Sequence, residues 1–394
     1  MSFIRNASIP PCDCNINTEL LEGNIYFHLG HGKNEEDLSE IFEERKARLI
    51  PVYYKKYVGV DGKGCPKALE VLSKNENESD HEQLLILYRK RPYHTCKYSL
   101  FIIAIVQWEN EFSYYDQKLL FGMLCANMCN SKLERPRACT WNRSRTCSCQ
   151  GVFEKFKGRS YTVGCSYSPY LEGCGFAQAQ NRDMKKYGNL PREVAQLINE
   201  CAKDVAEIQK DLVPKCFANM VKLNNNCRIG FGSERPYSTV NINMDYSAHT
   251  HQDFWNMDEG CSVIYTLVPL KRKPEQLHIL SHYSTTPGGS VGGLGLELTN
   301  GSVLIEYSKY ETHATTALTK PNSLLPKRLS LTFYQQRDLN EINHGYSAER
   351  AQRMRQQRQR KQRENQQGDL DRGFLMDEKS TFIDAILKQE QDPN

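Results

Sequence analysis

The sequence predicts an α+β protein whose second half is a β-barrel or jelly roll and whose first half is a cysteine-rich region organised by metal. Three observations predict it. Short strand-like runs separated by Gly- and Pro-rich turns recur between Tyr237 and Gln335. Twelve of the 15 cysteines precede residue 202, with no secretory signal before them, so they read as metal ligands rather than disulfides. Between these regions, apolar residues follow one another at helical spacing from Val194 to Leu212.

The 394 residues are 39% hydrophobic, 10% aromatic and 25% charged, enough apolar mass for a sizeable core. Wholesale disorder, collagen and coiled coil are excluded, because aromatics are plentiful and no short repeat runs through the chain. The longest apolar run, Leu100–Val106, is far short of the ~20 residues a spanning helix needs and reads as a buried strand. The opening MSFIRNASIPPCDC has no apolar signal segment, so the chain is expected not to be secreted and to have no membrane partner. A net charge of +4 advertises no nucleic acid by itself, although Arg350–Arg363 is markedly basic.

Taken in order, Asn34 can cap a helix carrying Leu38, Ile41, Phe42 and Leu49, and Ser113 with Asp116 can cap another through Leu119 and Met123. The sequence between them is expected to be irregular and to need metal cross-links. Asn189 caps a longer helix with Pro191 in its first turn, followed by Val194, Leu197, Ile198, Cys201, Val205, Ile208 and Leu212. Strands are expected over Tyr237–Asp245, Cys261–Val268, Gln276–Leu280, Ser302–Tyr307 and Arg328–Gln335, with Thr286–Gly295 as a glycine-rich turn. The expected divisions are residues 1–188 (cysteine-rich), 189–345 (catalytic β-domain) and 346–394 (a basic tail, disordered or helical).

The chemistry centres on His249-Thr250-His251-Gln252-Asp253. Alternate residues of a strand face the same way, so His251 and Asp253 present an imidazole and a carboxylate to one point. A third ligand from a distant strand completes a facial triad with positions open for cosubstrate and oxygen, the arrangement of non-haem Fe(II) oxygenases. His313 in ETHATTAL is the candidate. Further on, period two puts Leu329, Leu331 and Phe333 on one face and Arg328, Ser330, Thr332 and Tyr334 on the other. An Arg beside a Ser, facing into a barrel, suits the distal carboxylate of 2-oxoglutarate, which a guanidinium fork can hold.

The segments CRIGFGSERPYSTVNINMDYSAHTHQDFWNM, EQLHIL, GSVLIEYSKYETHATT and RLSLTFYQQRDLNEINHG resemble the TET (ten-eleven translocation) methylcytosine dioxygenases. So do GCP, HTC, TCSCQG and GCSYSPYLEGC upstream, and the likeness runs from about Cys12 to Gly345. It implies a double-stranded β-helix (jelly roll) core behind a zinc-stabilised cysteine-rich region, without the long low-complexity insert, which Tyr283–Gly301 replaces. By matching position, His251, Asp253 and His313 would hold Fe(II). Arg328 and Ser330 would bind one end of 2-oxoglutarate, with Arg137 and His278 near the other. Tyr334 would stack on the flipped base and Asn256 would hydrogen-bond its edge.

The resemblance also implies three zinc ions. Cys12, Cys14, Cys65, His94, Cys96, Cys147, Cys149 and Cys165 would serve two of them, and Cys174, Cys227, His249 and His344 a third. Cys125, Cys129, Cys139, Cys201, Cys216 and Cys261 then read as small core residues. His28, His31 and His81 read as surface or local hydrogen-bonding groups.

The implied reaction is oxidation of 5-methylcytosine in methylated DNA to 5-hydroxymethylcytosine, and on to 5-formyl- and 5-carboxylcytosine. It proceeds by base flipping and ferryl hydrogen abstraction. Departures from the family lie on the nucleic-acid side: Tyr167, Pro169, Tyr170 and Leu171 replace a Trp and Met-Tyr-Tyr, while Gln336 and Trp255 replace histidines. Asn241 stands where relatives have a Thr that supports the base-stacking Tyr. A nuclear location follows from the resemblance, and Arg350–Arg363 could supply an import signal or phosphate contacts. Two other readings share these residues. One is an oxygenase acting on RNA methylcytosine or thymine. The other is a catalytically silent, zinc-organised DNA-binding protein, which would need a broken triad or a missing oxoglutarate arginine.

Overall fold

The structure is a computed structural model that describes residues 14, 27–43, 48–53, 70–74, 83–90, 93–108, 114–130, 159–164, 167–168, 173–174, 192–224, 236–268, 275–282, 292–316, 318 and 325–337. Four helices occur among them: α1 (Glu35–Glu43), α2 (Tyr114–Asn130), α3 (Arg192–Leu212) and α4 (Pro214–Asn224). The Asn34 side chain accepts the amide of Asp37 at 2.9 Å, and Glu35, Glu36 and Asp37 fill the first turn of α1, where the helix dipole favours acids. In α3 the expected stripe is inside: Val194, Ile198, Cys201 and Val205 are buried. Among the described residues no helix is long and apolar enough to cross a membrane.

The strands in chain order are β1 (His31–Gly32), β2 (Arg48–Tyr53), β3 (Glu70–Leu72), β4 (Gln83–Lys90), β5 (Leu100–Trp108), β6 (Arg159–Gly164), β7 (Tyr167–Ser168) and β8 (Gly173–Cys174). They continue with β9 (Thr239–Met244), β10 (Ala248–His251), β11 (Ser262–Leu267), β12 (Leu277–His282), β13 (Gly292–Glu297), β14 (Val303–Glu306), β15 (Thr312–Thr315) and β16 (Leu329–Tyr334). A nine-stranded sheet runs β2-β4-β5-β14-β11-β16-β9-β6, with β1 also on β5; a five-stranded sheet runs β10-β15-β12-β13-β3; β7 and β8 pair alone. Pairing is antiparallel except for β2 with β4 and β3 with β13. From β9 onward the chain passes back and forth between the two larger sheets, which is jelly-roll winding.

Period two sorts the nine-stranded sheet. Val240, Ile242, Met244, Val263, Tyr265, Leu267, Leu329, Leu331 and Phe333 are buried in the same apolar cluster as Val194, Ile198, Val205, Val213 and Met220 of the α3–α4 segment. The opposite face carries Asn241, Asn243, Ser330, Thr332 and Tyr334, in register across β9 and β16. The tight turn before β14 uses Gly301 at φ 79°, a left-handed conformation that suits glycine. Beside it, the Asn300 side chain accepts the amide of Val268 at 2.9 Å.

Three features differ from the expectation. The described residues 48–53, 83–90 and 93–108 are not irregular throughout: β4 and β5 are consecutive buried strands of the long sheet, and Leu84–Leu87 and Phe101–Val106 bury both faces, while Leu49, expected in the first helix, lies in β2. The glycine-rich segment expected as a turn runs into β13, which pairs with all of β12, Gly295 opposite Ile279 and Gly293 opposite Ser281. His28 is not a surface group; it is buried, donates from Nε2 to the Gly260 carbonyl at 3.3 Å and meets the edge of Tyr307. β5 pairs with β14 and β6 with β9, so the nine-stranded sheet takes strands from both sides of residue 188.

Candidate metal and cosubstrate site

The antiparallel pairing of β10 with β15 sets His251 directly opposite His313, with ring centroids 4.3 Å apart. The chain leaves β10 and turns at Asp253, whose amide donates to the Ser308 carbonyl at 2.9 Å. Asp253 Oδ1 then lies 3.6 Å from His251 Nε2, and Oδ2 lies 3.7 Å from His313 Nε2. Donors each about 2 Å from one ion stand roughly 3 to 4 Å from one another, so this trio is spaced to hold a divalent metal. His313 Nδ1–H donates to the Glu311 carbonyl at 3.1 Å, which leaves Nε2 as the ligand atom. Glu311 is itself held by Arg89 of β4 at 2.8 Å. Burial pulls the His313 pKa down, but the Glu306 and Asp253 carboxylates outweigh it and the net shift is upward.

Arg328, just before β16, and Ser330 within it face the same interior, each only 6% exposed. Asp245, at φ 46°, closes β9 and accepts the amides of Lys327 and Arg328 at 2.7 and 2.9 Å. That clamp fixes where Arg328 enters. The Arg328 guanidinium makes no hydrogen bond or ion pair among the described residues, and its buried Nε has no partner. Burial drops its pKa from 12.5 to about 10, with Asp245 opposing the shift. A buried, unpaired guanidinium is costly, and a bidentate carboxylate is the ligand that relieves it.

His278 of β12 is also buried; its Nε2–H donates to Glu306 Oε2 at 2.7 Å, and its ring stacks on His313 at 5.7 Å. Asn256 is buried, and both hydrogens of its amide are committed to Ser262 and Ser308, each at 2.7 Å, leaving Oδ1 as the atom available to a base. Tyr334 is 8% exposed. Asn241 pairs in register with Thr332, one step along the same face from Tyr334. Phe254 and Trp255, by contrast, are 61% and 58% exposed, and Arg337 lies over the Trp255 ring at 5.7 Å.

A second ligand cluster joins Cys14, His94 and Cys96, whose donor atoms lie within 4.8 Å of one another. Cys174 and His249 lie in β8 and β10. Cys12, Cys65, Cys147, Cys149, Cys165, Cys227, His344, Arg137, Tyr170 and the 346–394 tail lie outside the described residues. Cys201, Cys216 and Cys261 are buried, as expected of core residues. Sequence reasoning missed Glu306, the Arg89–Glu311 pair, Asp245, Phe254 and the Ser262–Ser308 hydroxyls. For Glu306 there was a signal: an acid at an inward position of the apolar run Val303–Glu306.

The fold and site define an oxygenase: residues 166–337 match Tet_JBP, the oxygenase domain of the 2OGFeDO superfamily. TET1 of Mus musculus, a methylcytosine dioxygenase, is 30% identical over 357 residues, 77% of this chain and 17% of that protein. TET3 of Homo sapiens is 34% identical over 299 residues, 70% of this chain and 16% of that protein. Over residues 166–337 the chain carries the Tet_JBP oxygenase domain, and it spans about a sixth of the length of these relatives. A solved structure of NgTET1 in complex with 5mC DNA is similar at a TM-score of 0.44 and 9% identity, over 81% of this chain and 96% of that one.

Proposed function

We propose that this chain is an Fe(II)- and 2-oxoglutarate-dependent dioxygenase that oxidises 5-methylcytosine in DNA to 5-hydroxymethylcytosine and on to the formyl and carboxyl forms. The observation that carries the reading is the buried Arg328 guanidinium, without a partner among the described residues and facing the same interior as the His251–Asp253–His313 trio. His251, Asp253 and His313 would hold Fe(II), and with 2-oxoglutarate the iron supplies the oxidising power that removes hydrogen from a methyl group. Arg328 and Ser330 would bind and orient the distal carboxylate, with His278 and Arg137 toward the other end. Tyr334 would stack on a flipped base, an interaction worth ~1–3 kcal/mol, and Asn256 Oδ1 would meet its edge. Trp255 and Tyr170 would contact the surrounding nucleic acid, and Asn241 would tune Tyr334.

The same reading gives the chain three zinc ions held by the twelve Cys and His positions named above. The approach of Cys14, His94 and Cys96 supports one of these sites. Residues 1–188 then form a zinc-stabilised region, 189–345 the catalytic domain, and 346–394 a basic tail that contacts phosphates in the nucleus. Incubating the chain with methylated DNA or methylated RNA, Fe(II) and 2-oxoglutarate, then resolving nucleosides by mass spectrometry, tests the assignment. Hydroxymethylcytosine from DNA is the expected product. Oxidation confined to RNA would move the substrate, and no oxidation of either by iron-loaded protein would overturn the reading.

A further inference from the structure

Glu306 has no role in the triad or the cosubstrate fork, yet it is 1% exposed at the centre of the site. Its strand neighbours in register are Ala104 and Ser262, small residues that leave its side chain free to lean across to the opposite sheet. There Oε2 accepts the His278 Nε2–H at 2.7 Å, tying β14 to β12. Among the described residues Oε1 is buried without a hydrogen-bond partner, and it faces His313 Nε2 at 4.0 Å. A carboxylate so placed is only half satisfied by those residues, an arrangement the fold alone does not reward. The His278 ring that it grips stacks on the His313 ring at an interplanar angle of 18°.

We infer that Glu306 is a positioning residue of the metal centre. It acts through His278: the carboxylate holds the imidazole in one tautomer and one orientation, and that ring fixes the plane of His313. Its second oxygen keeps negative charge beside the ligand nitrogen without joining the ligand set, because the donors that converge on one point are those of His251, Asp253 and His313. Outer partners of this kind typically change metal affinity by 10–100-fold. The inference rests on the reading of the trio as a metal site.

The test is equilibrium Mn(II) binding by EPR on zinc-replete protein, with no turnover involved, for wild type, Asp253→Ala, Glu306→Gln, His278→Asn and the double variant Glu306→Gln/His278→Asn. Glu306→Gln should weaken Mn(II) by about tenfold at unchanged melting temperature, and adding it to His278→Asn should weaken binding little further. Unchanged affinity in Glu306→Gln, or losses that multiply in the double variant, would overturn the inference. If Asp253→Ala binds Mn(II) as wild type does, it is the metal reading that fails instead. Should Glu306→Gln not fold, ¹⁵N shifts of labelled histidines in wild type decide the matter, with the His278 signals assigned by their loss in His278→Asn. A proton on Nε2 supports the contact, and an unprotonated Nε2 overturns it.

Discussion

Replacing Arg328 by Met should make the ligand-free protein more stable and the cosubstrate-bound protein harder to reach. The guanidinium is buried, lacks a partner among the described residues, and has its pKa lowered from 12.5 to about 10. At pH 7 it is still charged, so the native state carries the whole penalty, which corresponds to about 3 kcal/mol. The sign follows from linkage: a base whose folded pKa is depressed destabilises the fold below that pKa, and relief comes only above pH 10. Met keeps the apolar stem without the charge, so the metal-loaded, cosubstrate-free variant should melt several degrees higher. The conversion is about 2–4 °C per kcal/mol in domains of 150–250 residues and less in a longer chain. 2-Oxoglutarate at about 100 times the wild-type dissociation constant should stabilise wild type by about 2.7 kcal/mol and a variant that binds it tenfold more weakly by no more than about 1.4 kcal/mol. Losing a charge-assisted carboxylate contact of ~1.5–3 kcal/mol should raise the 2-oxoglutarate KM at least about tenfold. Thermal melts with Mn(II), with and without 2-oxoglutarate, read both signs. A variant that melts lower without cosubstrate, or is stabilised by it as wild type is, would refute the argument.

Asp253 lies between two imidazoles and is one-third exposed, so Asp253→Ala should abolish Mn(II) binding and turnover with little change in metal-free melting temperature. Retained turnover would sink the triad. Elemental analysis should find about three zinc ions per chain and one fewer in Cys96→Ser, whereas fewer than two in active, reduced protein would contradict the ligand set. Asn241→Thr alters the face beside Tyr334 and should raise the share of formyl- and carboxylcytosine, because misplacing reacting groups by about 1 Å can cost ~100-fold. Equal carboxylcytosine yields at matched turnover would rule that out.

The site was legible where chemistry is local or periodic. His251 and Asp253 are two residues apart at a strand end, and the alternation around Ser330 assigns each residue of β16 to its face. The third ligand was legible because an apolar strand precedes it, but its register opposite His251 is a long-range pairing that only the folded chain supplies. β13 was hidden because glycine lacks strand propensity; it holds its place through β12 and β3 on either side. The short α4 was missed because Pro214 reads as the end of α3, whereas it opens a new helix from the first turn, where proline fits. Glu306 and Asp245 were missed for a different reason: their importance depends on burial and on partners far along the chain.

A jelly roll that lines its interior with Arg328, Glu306, His278 and His313 gives up apolar packing there, so its stability must come from another surface. The nine-stranded sheet provides it with its other face, where Val240, Ile242, Val263, Leu329, Leu331 and Phe333 belong to one buried cluster with residues of α3 and α4. The first half of the chain completes the arrangement rather than decorating it. Without β5, the strand β14 would be an edge, with its backbone open along Val303–Glu306 and Glu306 near solvent. With β5 in place, β14 is an interior strand; burial alone would raise the Glu306 pKa, but His278 and His313 outweigh it and hold the carboxylate ionised, its pKa near 2. Arg89 of β4 reaches further and grips Glu311, whose carbonyl orients His313. The geometry of the candidate metal site in the second half is therefore built partly from strands of the first.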